Sequence, residues 1–276
     1  MKHILRSYIK YTPIQPKLIK GLQIVSDVHL EFRTKQRIPT IIPCATNLAL
    51  LGDIGKPFTD RYNDFIQEQS AQFEKVFVVM GNHEYYTDTE TVDMILDKAK
   101  EICKSLPNVY LLERESYRFP ADGYTLLGCT LWSDINPSIA EYLNDFNKIH
   151  VFDKSRSTKK AILPSTYISW HKRDVKWLEE SVANVAHTYV GDKVIVLTHH
   201  APLKDMSGRY NGSVLSSAFV TDLRHLFKKP VHTFANGHVH SNCDIMHNNI
   251  RCVSNAMGYP GENTAGYKTD VVVPFH

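Results

Sequence analysis

Apolar residues fall along this chain in short runs, not in long tracts. Leu22–Ser26, Asn47–Leu51, Val76–Met80, Tyr124–Leu127, Val194–Thr198 and Val231–Ala235 are rich in aliphatic and β-branched residues, and each is closed by polar residues or glycine. Runs of this length, apolar at successive positions, predict strands buried on both faces. Between them, Arg61–Phe73, Thr89–Ser105, Ser165–His187 and Ser213–Lys228 repeat their apolar residues with helical spacing and predict helices. Near the C-terminus, Cys243–Met246 and Ile250–Ser254 flank Asn248-Asn249 and predict a hairpin. The alternation of strands and helices places the chain in the α/β class.

One stretch interrupts this rhythm. Ser133 to about Ser165 holds Asn136-Pro137, a short helical pattern through Asn147 and the basic run Lys154, Arg156, Lys159 and Lys160. It reads as a lid-like insertion on one edge of a single domain spanning 1–276. A run of like charges on a loop is first a solvated surface, and second a device for steering an anionic substrate. No internal repeat or low-complexity tract is present.

Composition narrows the classes of function. With 276 residues and 43% hydrophobic content, the chain can bury a sizeable core. Its 32 basic and 29 acidic residues leave a net charge of +3, too slight to mark a nucleic-acid binder. No stretch approaches the ~20 apolar residues of a bilayer-spanning helix, and the opening MKHILRSYIKYTPIQPK lacks the apolar segment of a secretory signal. Cys44, Cys103, Cys129, Cys243 and Cys252 are odd in number and include no C-x-x-C pair. Neither a disulfide framework nor a zinc ribbon fits them, and they are expected to stay reduced in a cytoplasmic setting. Histidine is the unusual count, at fourteen.

The residues that follow the predicted strands carry the chemistry. Asp27-Val28-His29 follows the first, Gly52-Asp53 the second and Gly81-Asn82-His83-Glu84 the third. His199-His200 and Gly237-His238-Val239-His240 follow the two late strands. Carboxyl ends of strands are where open α/β sheets build their sites. Each piece alone reads as a turn, a cap or a satisfied core histidine. All five in order, each at a strand end, point to a shared centre. Mixed aspartate and histidine donors suit divalent metals of the first transition row, whereas magnesium and calcium favour oxygen alone. Gly52, Gly81 and Gly237 would let the backbone turn sharply beside such ions.

Asp27-x-His29, Gly52-Asp53, Gly81-Asn82-His83-Glu84, His199 and Gly237-His-x-His240 together resemble the motif blocks of the calcineurin-like metallophosphoesterases, from about Leu22 to the C-terminal region. The resemblance implies a four-layer α/β/β/α sandwich, with two central mixed sheets flanked by helices. It implies that Asp27, His29 and His240 bind one metal, Asn82, His199 and His238 a second, and that Asp53 bridges both. His83 would contact the substrate phosphate and protonate the leaving oxygen, with Asn82 also near the substrate. His200, next to a ligand position, would touch substrate or back the ligands. Trp132, Tyr85 and Tyr86 read as walls. Thr130-Leu131-Trp132-Ser133, Asn144-Asp145-Phe146 and Ser254-Asn255 through Gly258-Tyr259-Pro260-Gly261-Glu262 are similar to a bacterial-type branch of the family.

The activity so implied is dinuclear metal-dependent phosphoester hydrolysis, with two divalent ions of manganese, iron or zinc and a hydroxide held between them that attacks phosphorus. The family often carries a second aspartate three positions after the bridging one, where this chain has Lys56. Ile54-Gly55-Lys56-Pro57 also lacks the arginine of the protein serine/threonine phosphatases. Lys56 would pair with a phosphate or be exposed. These departures weaken a phosphoprotein-phosphatase reading, and the motifs show no arginine pair to grip a monoester dianion, which favours a phosphodiesterase acting on a small or nucleotide-like substrate. The alternatives are a phosphomonoesterase and a catalytically inactive interaction scaffold of the same fold. A nuclease would need a basic groove interleaved with aromatics, which the sequence does not show. The expected partner is a phosphoester substrate, without a membrane and with no nucleic acid indicated.

Overall fold

The apolar runs assemble into two sheets. In the computed structural model, which describes residues 17–34 and 38–276, β1 (Ile19–Val25), β2 (Ala45–Leu51), β3 (Lys75–Val79) and β4 (Val109–Leu111) run parallel in that order. β13 (Val272–Pro274) closes the β1 edge antiparallel. The second sheet has the order β11 (Asp244–His247), β12 (Ile250–Ser254), β10 (Val231–Asn236), β9 (Lys193–Thr198), β6 (Tyr124–Cys129), β5 (Glu115–Phe119). Its four central strands are parallel and its two edges antiparallel. Apart from Lys17, the opening segment read for a secretory signal lies outside the described residues.

Alternation along each strand decides what packs where. Leu22, Ile24, Ala49, Leu51, Phe77 and Val79 face the other sheet, against Tyr124, Leu126, Ile195, Leu197, Ala235 and Val253. The intervening Val25, Leu48, Leu50, Val76 and Val78 face Tyr62, Phe65 and Ile66 of α1 (Asp60–Gln72) and Ile102 and Cys103 of α2 (Val92–Lys104). On the far side, Leu127, Val194, Val196, Phe234 and Cys252 meet Leu178, Val182 and Val185 of α4 (Pro164–Thr188). The layers are therefore α/β/β/α. Strands covered on both faces are apolar at successive positions, which is why their sequences form runs.

Asn248 and Asn249 turn the β11–β12 hairpin with φ of 49° and 61°, as their placement between two apolar runs predicts. The segment from 133 to 165 contains a short turn of 3-10 helix, α3 (Asp145–Lys148) and a small hairpin of β7 (His150–Asp153) and β8 (Thr158–Ala161). Its Ile135, Ile139, Leu143, Ile149 and Ile162 are buried with Tyr85, Ile95, Trp132 and Tyr167. Among the described residues, no helix is long and apolar enough to cross a membrane.

The predicted helix over Ser213–Lys228 does not form. Only two single turns of 3-10 helix appear there, at Ser216–Ala218 and Arg224–Leu226. Its polar groups are used elsewhere. Ser217 Oγ accepts from the Asn136 amide at 3.0 Å, Thr221 Oγ1 accepts from the Asp134 amide at 3.0 Å, and Val220 bridges to Ala201. Serine and threonine offer the backbone such alternatives to a helix.

Candidate metal centre

Five parallel strands end on one side of the sandwich, and their loops interlock. The Asp27 and His29 amides donate to the Gly52 and Asp53 carbonyls at 3.0 and 2.9 Å, continuing the β1–β2 pairing past the strand ends. The Gly237 amide donates to the His199 carbonyl at 3.0 Å and joins the loops after β9 and β10. Asp27, His29, Asp53, His238 and His240 all take left-handed backbone, with φ between 50° and 70°. Aspartate and histidine tolerate this region better than most residues, yet each such residue costs about 1 kcal/mol. Strain held at so many converging positions marks a site held in place by the surrounding fold. Gly81 is needed for contact: a Cβ there would collide with the Asp53 carboxylate and with its amide nitrogen 2.5 Å away.

Three donor groups result, and two of them match the predicted sets: Asp27, His29 and His240 form the first, and Asp53, His199 and His238 the second, while His29, Glu31 and His83 form a third. In the first, His29 Nε2 and His240 Nε2 approach to 3.1 Å, and His240 Nε2 lies 3.1 Å from Asp27 Oδ1. Their outer nitrogens are engaged: His29 Nδ1 with Glu31 Oε1 at 3.1 Å, and His240 Nδ1 with Glu262 Oε2 at 2.6 Å. In the second set, His199 Nδ1 donates to the Leu51 carbonyl at 2.8 Å, and its Nε2 faces Asn82 Oδ1 at 3.1 Å. Asn82 is itself held, its amide donating to Tyr86 Oη at 2.9 Å and to Asp145 Oδ1 at 3.3 Å. An imidazole whose outer N–H is fixed by a carboxylate or carbonyl, with its inner nitrogen free to converge, is the arrangement of a metal ligand. These donors fit two divalent cations.

Electrostatics agree with that fit. Burial would raise the Asp53 carboxyl, but the nearby His199 and His83 outweigh it and hold the acid well below its usual range. Asp27 falls to about 2, where burial opposes and His240 wins. Burial and the neighbouring His199 push His238 down to about 3, so its imidazole is neutral and able to ligate. Two ionised, fully enclosed carboxylates demand positive charge nearby.

Comparison with known proteins turns this geometry into a family. A model of the calcineurin-like phosphoesterase family matches residues 23–242. The chain belongs to the calcineurin-like phosphoesterases. An uncharacterized protein of Acanthamoeba polyphaga mimivirus is 30% identical over 266 residues, covering 87% of this chain and 92% of that relative. Among solved structures, phosphopantetheinyl hydrolase (PptH) from Mycobacterium tuberculosis aligns with a TM-score of 0.68 over 92% of this chain and 96% of that one. At 16% identity, that likeness concerns the fold. The protein is thus a phosphoester-hydrolysing enzyme of this family, with Asp and His groups placed for divalent metals.

Beside the donor sets of this calcineurin-like phosphoesterase lies a groove of about 660 Å³ lined by Glu31, Phe32, Lys56, His83, Tyr86 and Tyr259, among others. His83 is part of that lining, with its amide on Asp53 Oδ1 at 2.8 Å, Nδ1 3.2 Å from Glu31 Oε1 and Nε2 3.1 Å from Tyr259 Oη. Burial would depress its pKa, but Asp53 and Glu31 raise it above the usual histidine value. Lys56 donates to the His83 carbonyl and covers the Tyr86 ring at 5.3 Å. The basic run at Lys154–Lys160 is not part of this lining, and Lys160 pairs with Asp153 at 3.2 Å.

His200 is fully buried, with Nε2 2.9 Å from Tyr167 Oη and Nδ1 3.4 Å from the Thr130 carbonyl, and its ring lies 4.1 Å from that of His238. Trp132 and Tyr85 pack beneath the site, while Tyr86 reaches the groove. Glu31, Glu262 and Tyr259 had no assigned role from sequence. The loop after β12 brings the last two in, because the Met257 and Gly258 amides donate to the Ser26 and Asp27 carbonyls at 2.9 and 3.0 Å.

Proposed function

We propose that this enzyme hydrolyses a small or nucleotide-like phosphodiester at a two-ion centre. Asp27, His29 and His240 would hold one divalent transition ion, and Asn82, His199 and His238 the other. Asp53 stands between them. One observation carries this reading: the two Asp53 oxygens face different sets, Oδ1 lying 3.3 Å from His199 Nε2 and Oδ2 3.9 Å from His29 Nε2. Ions of manganese, iron or zinc held there would activate a water and offset the charge on the phosphoryl oxygens.

The chain's own part in the bond change lies at His83. Asp53 and Glu31 favour its protonated form, and its Nε2 opens toward the groove. The oxygen of a water that has given up one proton to solvent joins phosphorus, the ester P–O bond breaks, and the departing oxygen takes the proton from His83 Nε2, which solvent then restores. Phe32 and Tyr259 offer aromatic faces for a planar group, and Lys56 and Lys148 supply positive charge. Among the described residues no arginine lines the groove to grip a monoester dianion in two-point fashion, which favours a diester. The committed nitrogens of His200 favour support of His238 over contact with substrate, and the engaged amide of Asn82 likewise favours ligation.

Hydrolysis of a bis-aryl and a mono-aryl phosphate by manganese-loaded protein tests the reading, with faster turnover of the diester expected. Inertness toward both esters would refute it. His83→Ala should keep the metal content and lower turnover by about a hundredfold or more. Loss of metal in that variant would remove His83 from the role of proton donor.

A further inference from the structure

Glu31 stands two residues after His29 in a 3-10 turn (Leu30–Phe32) that the motif blocks skip, yet one of its oxygens serves two histidines at once. Oε1 lies 3.1 Å from His29 Nδ1 and 3.2 Å from His83 Nδ1. The rings of those histidines are packed edge to face, with centroids 4.6 Å apart. Glu31 Oε2 is enclosed and has no hydrogen-bond partner among the described residues. The carboxylate side chain is only 11% exposed, so its acceptor oxygen does not swing freely in solvent.

We infer that Glu31 is a positioning residue for the reaction: its Oε1 accepts N–H from His83 Nδ1 and from His29 Nδ1, locking the proton donor in register with a metal ligand. An imidazole that donates through Nδ1 to a fixed oxygen can rotate little about its side-chain torsions. Its other nitrogen, Nε2, then points in one direction. In this structure that direction meets Tyr259 Oη at 3.1 Å on the groove side, where an ester oxygen would accept the proton. Because the same oxygen holds His29, the leaving-group side and the metal side of the centre share one support. Lys56, also beside His83, is a cation that donates to the His83 carbonyl and offers no acceptor for an imidazole N–H.

This inference rests on the proposed role of His83 and has a distinct signature. A residue that only stabilises the loop would, when replaced, slow all substrates by one factor. A residue that aims the proton donor matters most where the leaving oxygen needs a proton. The test compares methyl nitrophenyl phosphate, whose leaving group departs readily as an anion, with methyl phenyl phosphate, whose leaving group departs poorly without protonation. Glu31→Met, which keeps the stem and removes the acceptor, should lower kcat for the phenyl ester by about a hundredfold and for the nitrophenyl ester by less than about tenfold. KM should change little, and Glu31→Gln should recover most of the phenyl-ester rate, because its amide oxygen still accepts.

Equal losses on both esters in Glu31→Met, with metal content retained, would overturn the inference. Spectra of ¹⁵N-histidine-labelled wild-type protein loaded with zinc read the same contact without any variant, and His83 Nδ1 should carry a proton. A bare Nδ1 would equally overturn it. Wild-type inertness toward every ester would instead sink the phosphodiesterase reading itself, so the two failures are distinguishable.

Discussion

At the scale of single residues, the centre is defined by how closely unlike groups are forced together. Gly81 shows this most directly, because a methyl group there has nowhere to go except into Asp53. Gly81→Ala should cost about 1–3 kcal/mol by overpacking and should also displace Asp53. A fall in metal content out of proportion to the drop in Tm is expected, and unchanged metal content would show that Asp53 has room to move. The histidines make a second prediction. Before ions bind, burial disfavours imidazolium at His199 and His240, but Asp53 and Asp27 outweigh it and lift them to about 10 and about 9. Ligation must expel those protons, so apparent metal affinity should rise with pH, roughly tenfold per unit for each proton displaced. Calorimetric titrations in buffers of different ionisation enthalpy would report the released protons. In the ion-free protein the raised values work the other way: they stabilise the fold fully below the ordinary histidine pKa, and that support fades as pH climbs through about 9 to 10.

Elements contribute to the site through their ends, and one buried side chain joins two of them. Glu84 accepts from the amides of Asp53 at 2.9 Å, Ile54 at 2.6 Å, Gly55 at 3.3 Å and Gly81 at 2.7 Å, tying the loop after β2 to the loop after β3. Glu84→Ala would strand these buried donors and should destabilise the protein by about 3 kcal/mol or more, with loss of metal. Leu178 supplies the contrast. It is fully buried between α4 and the second sheet and is not one of the donor groups. Leu178→Ala should cost about 3 kcal/mol while leaving metal content intact. Chemical denaturation with metal analysis of the folded protein separates these two outcomes, and parallel behaviour of both variants would contradict the division.

For the molecule as a whole, what the sequence discloses and what it hides have physical causes. Strands packed on both faces must be apolar throughout, so β1, β2, β3, β6, β9 and β10 are legible as runs. The edge strands are not. β5 reads Glu-Ser-Tyr-Arg-Phe and is half exposed, and β8 reads Thr-Lys-Lys-Ala, so neither carries a burial signal. The stretch over Ser213–Lys228 has helical spacing but gives its serine and threonine hydroxyls to neighbouring loops, a competition that only the assembled fold decides. Within the site, the residues at strand ends are visible because position relative to a strand is itself a sequence property. Glu31 reaches His83, and Glu262 reaches His240, across loops whose course depends on tertiary contacts, so these pairings are not legible in the local pattern.

Asp53 is the hinge of the whole interpretation, and metal stoichiometry reads it most directly. Wild-type protein incubated with manganese and freed of excess should retain two ions per chain, and Asp53→Ala should retain fewer than one while keeping its fold by circular dichroism. Equal retention in the two proteins, or no retained metal in the wild type, would contradict a centre in which one carboxylate serves both donor sets.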